Sequence, residues 1–257
     1  MPANAFDSRR GRYYSWKGDS YWSVTTILRN ALPPMLSNWA AQQVADYAVN
    51  NSDLLFNLLK RNDPEGAKRL LVGAATARSG KSSKRGSAVH AAAEAYSRGE
   101  DVPSGDADVA PFVRQFERFV EDFDPAYHDS EIECQVFNRR HGYAGTLDAI
   151  AEIDGKRWLL DMKTADVGKT PYPDVALQLC AYRNAEFIGR DNKEIPMPQV
   201  DGTAVLHITP ERYLFIPVNT DEHVFQVFRG LHFIFTRWLE GASKQVLGQP
   251  MAPKVAA

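Results

Sequence analysis

The dipeptide Asp154-Gly155, which lies between two apolar segments at residues 143–153 and 156–163, constrains this sequence more than any other feature. Asp-Gly flanked by alternating apolar residues is a strong signal for a two-residue type I′ turn, because both turn positions need a positive φ. The sequence therefore predicts a β-hairpin. A two-residue turn also fixes the register, so Ile153 should face Lys156 and the pairing should continue outward from there.

This register places Asp148 opposite Asp161, with their Cβ atoms about 5 Å apart. Lys163 follows two residues later on the same face of the strand. Opposed carboxylates repel each other, whereas a divalent cation between them would bind, and their hard oxygen ligands suit Mg²⁺ or Mn²⁺. A neighbouring lysine can polarise an attacking water or neutralise charge that develops on phosphorus. A solvated face with scattered charges is the alternative, but Ile150 and Leu159 adjoin the pair, which favours a metal site.

The remaining sequence alternates between helical and extended patterns. The predicted helices cover residues 37–49, 53–60, 64–77, 87–98, 110–123, 174–188 and 221–240. The predicted strands are a small hairpin around Gly18, followed by residues 132–137, 143–153, 156–163, 200–209 and 213–218. This order predicts an α/β fold with a central mixed β-sheet flanked by helices.

The same pattern predicts three regions. Residues 1–80 form an N-terminal hairpin and helical region packed on the core, residues 81–240 form the core, and residues 241–257 form a poorly ordered tail. A basic loop is expected over residues 78–86, with Ser87 as the N-cap of the next helix.

Side chains on two predicted helices extend the candidate site. His90 and Glu94 are four residues apart, as are Gln178 and Tyr182, so each pair lies on one helical face. Alone, each of these residues is more often an ordinary helix residue than a functional one. The basic run before His90 is either a solvated loop or a set of phosphate contacts, and it comprises Arg78, Lys81, Lys84 and Arg85.

Composition excludes several classes of protein. The net charge of −2, from 30 Lys+Arg and 32 Asp+Glu, argues against a protein that coats nucleic acid by bulk charge. No stretch of about 18 residues is continuously apolar, and the N-terminus lacks the apolar centre of a secretory signal. We therefore expect no membrane partner and a cytoplasmic location. The two cysteines, Cys134 and Cys180, suggest no disulfide framework and cannot supply a four-thiolate site.

Taken in order along the chain, four motifs resemble those of the RecB-like branch of the PD-(D/E)XK nucleases. They lie at residues 86–90, 145–148, 161–163 and 178–182. In particular, the sequence is similar to small exonuclease-like proteins of phages that infect actinobacteria, which are often likened to CRISPR-associated nucleases. The resemblance covers residues 13–240 and includes the N-terminal segments 23–28 and 36–41.

This resemblance implies a restriction-endonuclease-like core and a metal-dependent DNA nuclease, with exonuclease favoured over endonuclease. It implies a role in DNA processing or recombination, with recombination or replication proteins as candidate partners, in the host cytoplasm if the protein is phage-encoded. Many members that are CRISPR-associated or helicase-linked hold an iron–sulfur cluster on four cysteines. This chain has two, so we expect no iron–sulfur cluster.

The resemblance also assigns roles to individual residues. Mg²⁺ or Mn²⁺ would be bound by His90, Asp148 and Asp161 together with the backbone carbonyl of Met162. Lys163 would be the catalytic lysine. The supporting residues would be Gln178 and Tyr182, which position a DNA phosphate or the site itself, Glu94 as an outer-shell partner, and Arg78, Lys81, Lys84 and Arg85 as DNA contacts.

Two other functions remain open at the level of sequence. The chain could be a catalytically weak DNA-end-binding recombination accessory protein, although the intact set of Asp148, Asp161 and Lys163 counts against this. It could also be a metal-dependent hydrolase of a non-nucleic substrate, which the lack of a separate small-molecule motif disfavours. Metal-dependent turnover of labelled DNA would separate the first alternative from a nuclease.

Overall fold

The computed structural model describes residues 4–32, 35–103 and 106–249. Side chains are not described for residues 35–40, 43, 74–84, 129–130 and 244. The side chains of Arg78, Lys81 and Lys84, and the part of the predicted tail from residue 250 onward, therefore lie outside the described residues.

Runs of strands and of helices follow one another along the chain. The strands are β1 (Ala5–Ser8), β2 (Gly11–Trp16), β3 (Asp19–Ser23), β4 (Ala126–Asn138), β5 (Tyr143–Ile153), β6 (Lys156–Thr164), β7 (Phe187–Arg190), β8 (Lys193–Pro196), β9 (Gly202–Ile208) and β10 (Tyr213–Pro217). The helices are α1 (Val24–Ala31), α2 (Met35–Asn50), α3 (Ser52–Lys60), α4 (Pro64–Ser97), α5 (Ala110–Phe123), α6 (Val175–Arg183) and α7 (Glu222–Phe233). Helix α7 continues as a π-helix (Ile234–Leu239), and a short 3₁₀-helix (Ala242–Lys244) follows. Within the described residues, every helix is too short or too polar to traverse a bilayer.

The strands form one mixed sheet with helices on both faces. Its order is β1-β2-β3-β5-β4-β7-β8, with β6 between β5 and β9, and β10 beyond β9. The β3–β5 and β6–β9 pairs are parallel, and the other pairs are antiparallel. On one face, side chains of α1, α6 and α7 form a core with the sheet, and on the other face α4 and α5 do so. The predicted α/β fold, with a mixed sheet flanked by helices, is therefore confirmed.

The predicted hairpin is β5 and β6. Asp154 and Gly155 have φ values of 50° and 70°, as a type I′ turn requires. The predicted register is confirmed from the pair Ile153–Lys156 to the pair Ala149–Leu160, where the ladder ends. The predicted ladder pair of Asp148 and Asp161 is therefore wrong, because the strands have already separated at that point.

The separation has a cause in the sheet topology. Along one edge, β5 pairs with β4 over most of its length. On its other edge, β5 pairs with β3 at Tyr143 and Ala144 and with β6 from Ala149 onward. No described strand pairs with residues 145–148 on that edge, and we call this opening between β3 and β6 the fork. The candidate site lies there.

The structure corrects the predicted boundaries in the helical region. Residues 78–86 are not a loop, and Ser87 is not an N-cap, because α4 runs without interruption from Pro64 to Ser97. Glycine costs a helix only about 1 kcal/mol relative to alanine, which is less than the cost of ending one helix and nucleating another. The predicted division at residue 80 falls inside α4, and the three-region description stays a prediction.

Several short elements escaped prediction because tertiary pairing creates them. Residues 24–31 form α1, where the sequence pattern suggested the end of a strand. Strands β1, β7 and β8 have four residues each and gain their order from neighbouring strands. Helix α6 ends at Arg183, earlier than the predicted residue 188, because Phe187 begins β7.

Candidate metal centre

Three side chains of the kinds that bind metals converge beside the fork. Among the described residues they form a group in which one ligand atom from each, on His90, Glu133 and Asp148, lies within 4.8 Å of the others. His90 Nδ1 is 3.6 Å from Glu133 Oε1 and 3.7 Å from Asp148 Oδ1. The three residues come from α4, β4 and β5, so the group exists only in the folded protein.

The second ring nitrogen of His90 fixes its orientation. His90 Nε2 lies 3.0 Å from the carbonyl oxygen of Met162, which can only accept a hydrogen bond. When the ring loses one proton, the remaining proton therefore stays on Nε2, and the lone pair of Nδ1 faces the two carboxylates. Histidine ligands of metals commonly donate their other N–H to a backbone carbonyl in this way.

The same backbone unit also holds Asp148. The Met162 N–H donates to Asp148 Oδ2 at 2.6 Å, at the position where the β5–β6 ladder has ended. Met162 thus orients two candidate ligands through its N–H and its carbonyl. The role of that carbonyl as a metal ligand stays a prediction, since here it accepts a hydrogen bond from His90.

Sequence reasoning missed Glu133. It lies on β4 between Ile132 and Cys134, which pair with Ala149 and Leu147 of β5, and its φ of 46° is in the left-handed region that residues other than glycine rarely adopt. Such strain costs about 1–3 kcal/mol and is concentrated at functional sites. The acidic residue before Cys134 was visible in the sequence, but nothing local indicated that its backbone would be left-handed or that its side chain would meet His90.

A second set of contacts surrounds Asp161. Lys163 Nζ lies 2.8 Å from Asp161 Oδ2, and Gln178 Nε2 donates to Asp161 Oδ1 at 2.9 Å. Gln178 Nε2 also lies 3.5 Å from the hydroxyl of Tyr182. The structure therefore brings these four predicted site residues together, with α6 carrying two of them over the sheet.

Burial and repulsion perturb the titration of these groups. Burial lowers the pKa of His90, but the carboxylates of Asp148 and Glu133 outweigh that effect and raise it to about 9. Burial raises the pKa of Asp161 to about 6, although Lys163 opposes the change. Burial also raises the pKa of Asp148. Without a cation, burial therefore makes the ionised forms of Asp148 and Asp161 less favourable than in water.

The donor set fits a divalent cation. One imidazole nitrogen and two carboxylates face one another, and a nearby cation would relieve the buried negative charge that raises the pKa of both aspartates. Carboxylate ligands suit Mg²⁺ and Mn²⁺, whereas an imidazole ligand also suits Zn²⁺. The choice between these ions is a matter for experiment.

The remaining predicted residues lie around this group. Glu94 forms an ion pair with Arg98 and lines a small cavity together with His90, Glu133 and Asp148. Arg85 forms an ion pair with Asp166 at 3.0 Å and lies over the ring of Phe112. The outer-shell role of Glu94 and the DNA contact of Arg85 stay predictions.

The cysteines take no part in this group. Cys134 and Cys180 are buried free thiols on β4 and α6. The expected absence of an iron–sulfur cluster stays a prediction.

No model of a protein family matches the sequence, and no curated protein matches it.

Proposed function

We propose that this chain is a metal-dependent deoxyribonuclease with a PD-(D/E)XK type of active site. One observation carries the proposal: the ammonium group of Lys163 lies 2.8 Å from the Asp161 carboxylate, beside the cluster of His90, Glu133 and Asp148. A lysine next to a set of metal-type ligands supplies the two kinds of charge that phosphodiester hydrolysis needs.

The cation would be held by His90, Glu133, Asp148 and Asp161. When bound, it supplies Lewis acidity and lowers the pKa of a coordinated water. The protein's own groups provide the orientation. Met162 fixes the His90 ring and the Asp148 carboxylate through its backbone.

Lys163 has a separate task in this proposal. Burial lowers its pKa, but Asp161 and Asp148 outweigh burial and raise it, so the side chain is cationic at neutral pH. A fixed positive charge at this point neutralises the negative charge that develops on phosphate oxygens as the bond to the attacking oxygen forms. Gln178 holds Asp161 in place by a hydrogen bond to Oδ1.

The finer description rests on the sequence resemblance. A restriction-endonuclease-like core, an exonuclease rather than an endonuclease, and a role in recombination or DNA processing are proposed on that basis. The candidate protein partners belong to the same set of proposals.

A digestion time course tests the function. Purified protein is incubated with end-labelled linear DNA and with closed circular DNA, in Mg²⁺, Mn²⁺, Zn²⁺ or excess chelator. We expect cleavage that requires a divalent metal and is lost in Asp148→Asn and Asp161→Asn proteins. Glu152→Gln is the matched control, because this exposed residue lies on the same strand as Asp148 but outside the cluster.

Two results would overturn the proposal. Full cleavage in excess chelator would exclude a metal-dependent site. Tight DNA binding without any cleavage in the three metals would favour the accessory protein that the sequence left open. An exonuclease should degrade linear DNA and spare closed circles, so nicking of circles would replace the exonuclease description with an endonuclease.

A further inference from the structure

A cavity of about 710 Å³ adjoins Lys163 on the side away from the metal cluster. Lys163 and His207, which are paired on β6 and β9, line it from the sheet. Arg85 of α4 lines another side, and Tyr172 belongs to the segment between β6 and α6 that encloses it. The proposed catalytic lysine therefore borders both the metal site and this cavity.

His207 has an unusual environment within this cavity. Its side chain is buried, with 2% exposure, yet neither ring nitrogen has a hydrogen-bond partner among the described residues. Buried polar groups in proteins are nearly always hydrogen-bonded, and an exception calls for an explanation such as a missing ligand or ion. Burial and, to a smaller extent, Arg212 lower the pKa of His207, so the ring is neutral at neutral pH. A neutral ring retains one N–H donor.

The neighbours of His207 indicate the kind of ligand that the cavity would take. His207 is the register partner of Lys163, and Arg85 lines the same cavity. Arg85 Nε is itself buried and without a partner among the described residues. Its other contacts, with Asp166 and the ring of Phe112, hold the guanidinium in place. The formal charges of the lining balance, since three cations, Arg85, Lys163 and Lys169, stand against three carboxylates, Asp46, Asp166 and Asp174. The two buried N–H groups without a partner among the described residues, on His207 and Arg85, are what suit a ligand with several acceptor oxygens, such as a phosphate.

We propose that this cavity binds a DNA phosphate next to the scissile one, and that His207 donates a hydrogen bond to it. The inference rests on the proposed nuclease function, because the position of Lys163 defines which phosphate is scissile. His207 would thus be a substrate-binding residue on β9, a strand to which the sequence motifs assign no functional residue.

Methylphosphonate scanning tests this assignment. A labelled oligonucleotide carries one uncharged methylphosphonate, which is moved along the strand one phosphate at a time. Binding is measured by fluorescence anisotropy in Ca²⁺, so that affinity is read without relying on turnover. For wild-type protein, substitution at one phosphate next to the cleavage position should weaken binding about tenfold to a hundredfold, as expected for hydrogen bonds to a charged group.

Variants of His207 identify the partner of that phosphate. His207→Phe keeps an aromatic ring but has no ring nitrogens, so unmodified DNA should bind more weakly and the methylphosphonate at that position should have little additional effect. His207→Gln restores an N–H donor and should recover part of the wild-type profile. His232→Phe is the control, because His232 also has a buried ring nitrogen without a partner in the described part of the chain but lines a different cavity.

The outcomes separate the two proposals. If wild-type protein neither binds nor cleaves DNA, the nuclease function itself fails. If wild-type protein cleaves DNA but His207→Phe gives the same scanning profile, the role of His207 alone is overturned. Should His207→Phe fail to fold, the ring ¹⁵N resonances of His207 in wild-type protein decide: they should shift with unmodified DNA and not with the methylphosphonate strand, and equal shifts would refute the contact.

Discussion

The ring of Tyr182 lies directly against the backbone of Gly145, where a Cβ atom would come within 2.4 Å of Tyr182 Cε1. Gly145 is the first residue of the fork, and its missing side chain leaves the room that the tyrosine occupies. The Tyr182 hydroxyl is near Gln178, which in turn donates to Asp161. A single absent methyl group therefore sets the distance between α6 and the candidate active site.

Gly145→Ala should force Tyr182 away from the sheet. We expect a loss of about 1–3 kcal/mol in the free energy of unfolding, as for other overpacked cores, together with slower DNA cleavage. Chemical denaturation and a cleavage assay measure the two effects. Gly230→Ala is the control, because the space around Gly230 in α7 is open and alanine favours a helix. A Gly145→Ala protein as stable and active as wild type would show that the close contact constrains nothing.

Glu133→Gln should weaken metal binding at least about tenfold, because loss of a ligand should cost no less than loss of an outer-shell contact. The substitution keeps the shape of the side chain and removes its charge. Isothermal titration with Mn²⁺ measures the change, with Glu152→Gln on the neighbouring strand as the control. Equal Mn²⁺ affinity in the wild-type and Glu133→Gln proteins would remove Glu133 from the ligand set.

Metal binding should release protons and strengthen as the pH rises. The pKa of His90 is about 9 without metal, and Nδ1 must be unprotonated to act as a ligand. Between about pH 7 and 9, each added pH unit should therefore increase Mn²⁺ affinity by up to about tenfold. Titrations in buffers with different heats of ionisation count the released protons. Affinity that is flat over this range would mean that His90 is not a ligand.

Asp161→Asn should stabilise the metal-free protein at pH 8. Folding raises the pKa of Asp161 from 3.8 to about 6, so the ionised carboxyl destabilises the folded state, fully above the folded pKa and not at all below the unfolded one. Removing the charge should recover up to about 3 kcal/mol. Thermal unfolding in chelator measures this gain. Mn²⁺ should raise the Tm of wild type more than that of the variant, and a lower Tm for the variant in chelator would contradict the argument.

Lys163→Ala should lower the cleavage rate by about two to four orders of magnitude, in the range of a positioned acid–base or electrostatic group. Metal affinity should stay the same or rise slightly, because a positive charge beside the ligands is removed. Partial activity in Lys163→Arg would favour charge stabilisation over proton transfer, since arginine keeps its proton. Single-turnover cleavage and metal titration separate these effects. Wild-type cleavage by Lys163→Ala would reduce the Asp-x-Lys spacing to coincidence.

Local chemistry made the hairpin predictable. The type I′ turn at Asp154-Gly155 depends on two adjacent residues, and the alternation of side chains then follows from strand geometry. The α/β class could also be predicted, because it requires only the order of helical and extended patterns. Local interactions determine the ends of helices less firmly than they determine the turn. The glycine- and serine-rich residues 78–86 therefore continue α4 instead of ending it.

The amino-acid sequence by itself determined the turn, the register next to it, and the residue types that a metal site needs. The tertiary structure alone decided which of those residues meet. Asp148 has no ladder partner on β6 because β3 and β6 share one edge of β5. Glu133 reaches His90 because its own backbone on β4 is in the left-handed region. Both effects depend on the packing of strands that are distant in the sequence. No local sequence pattern indicates how favourable that packing is.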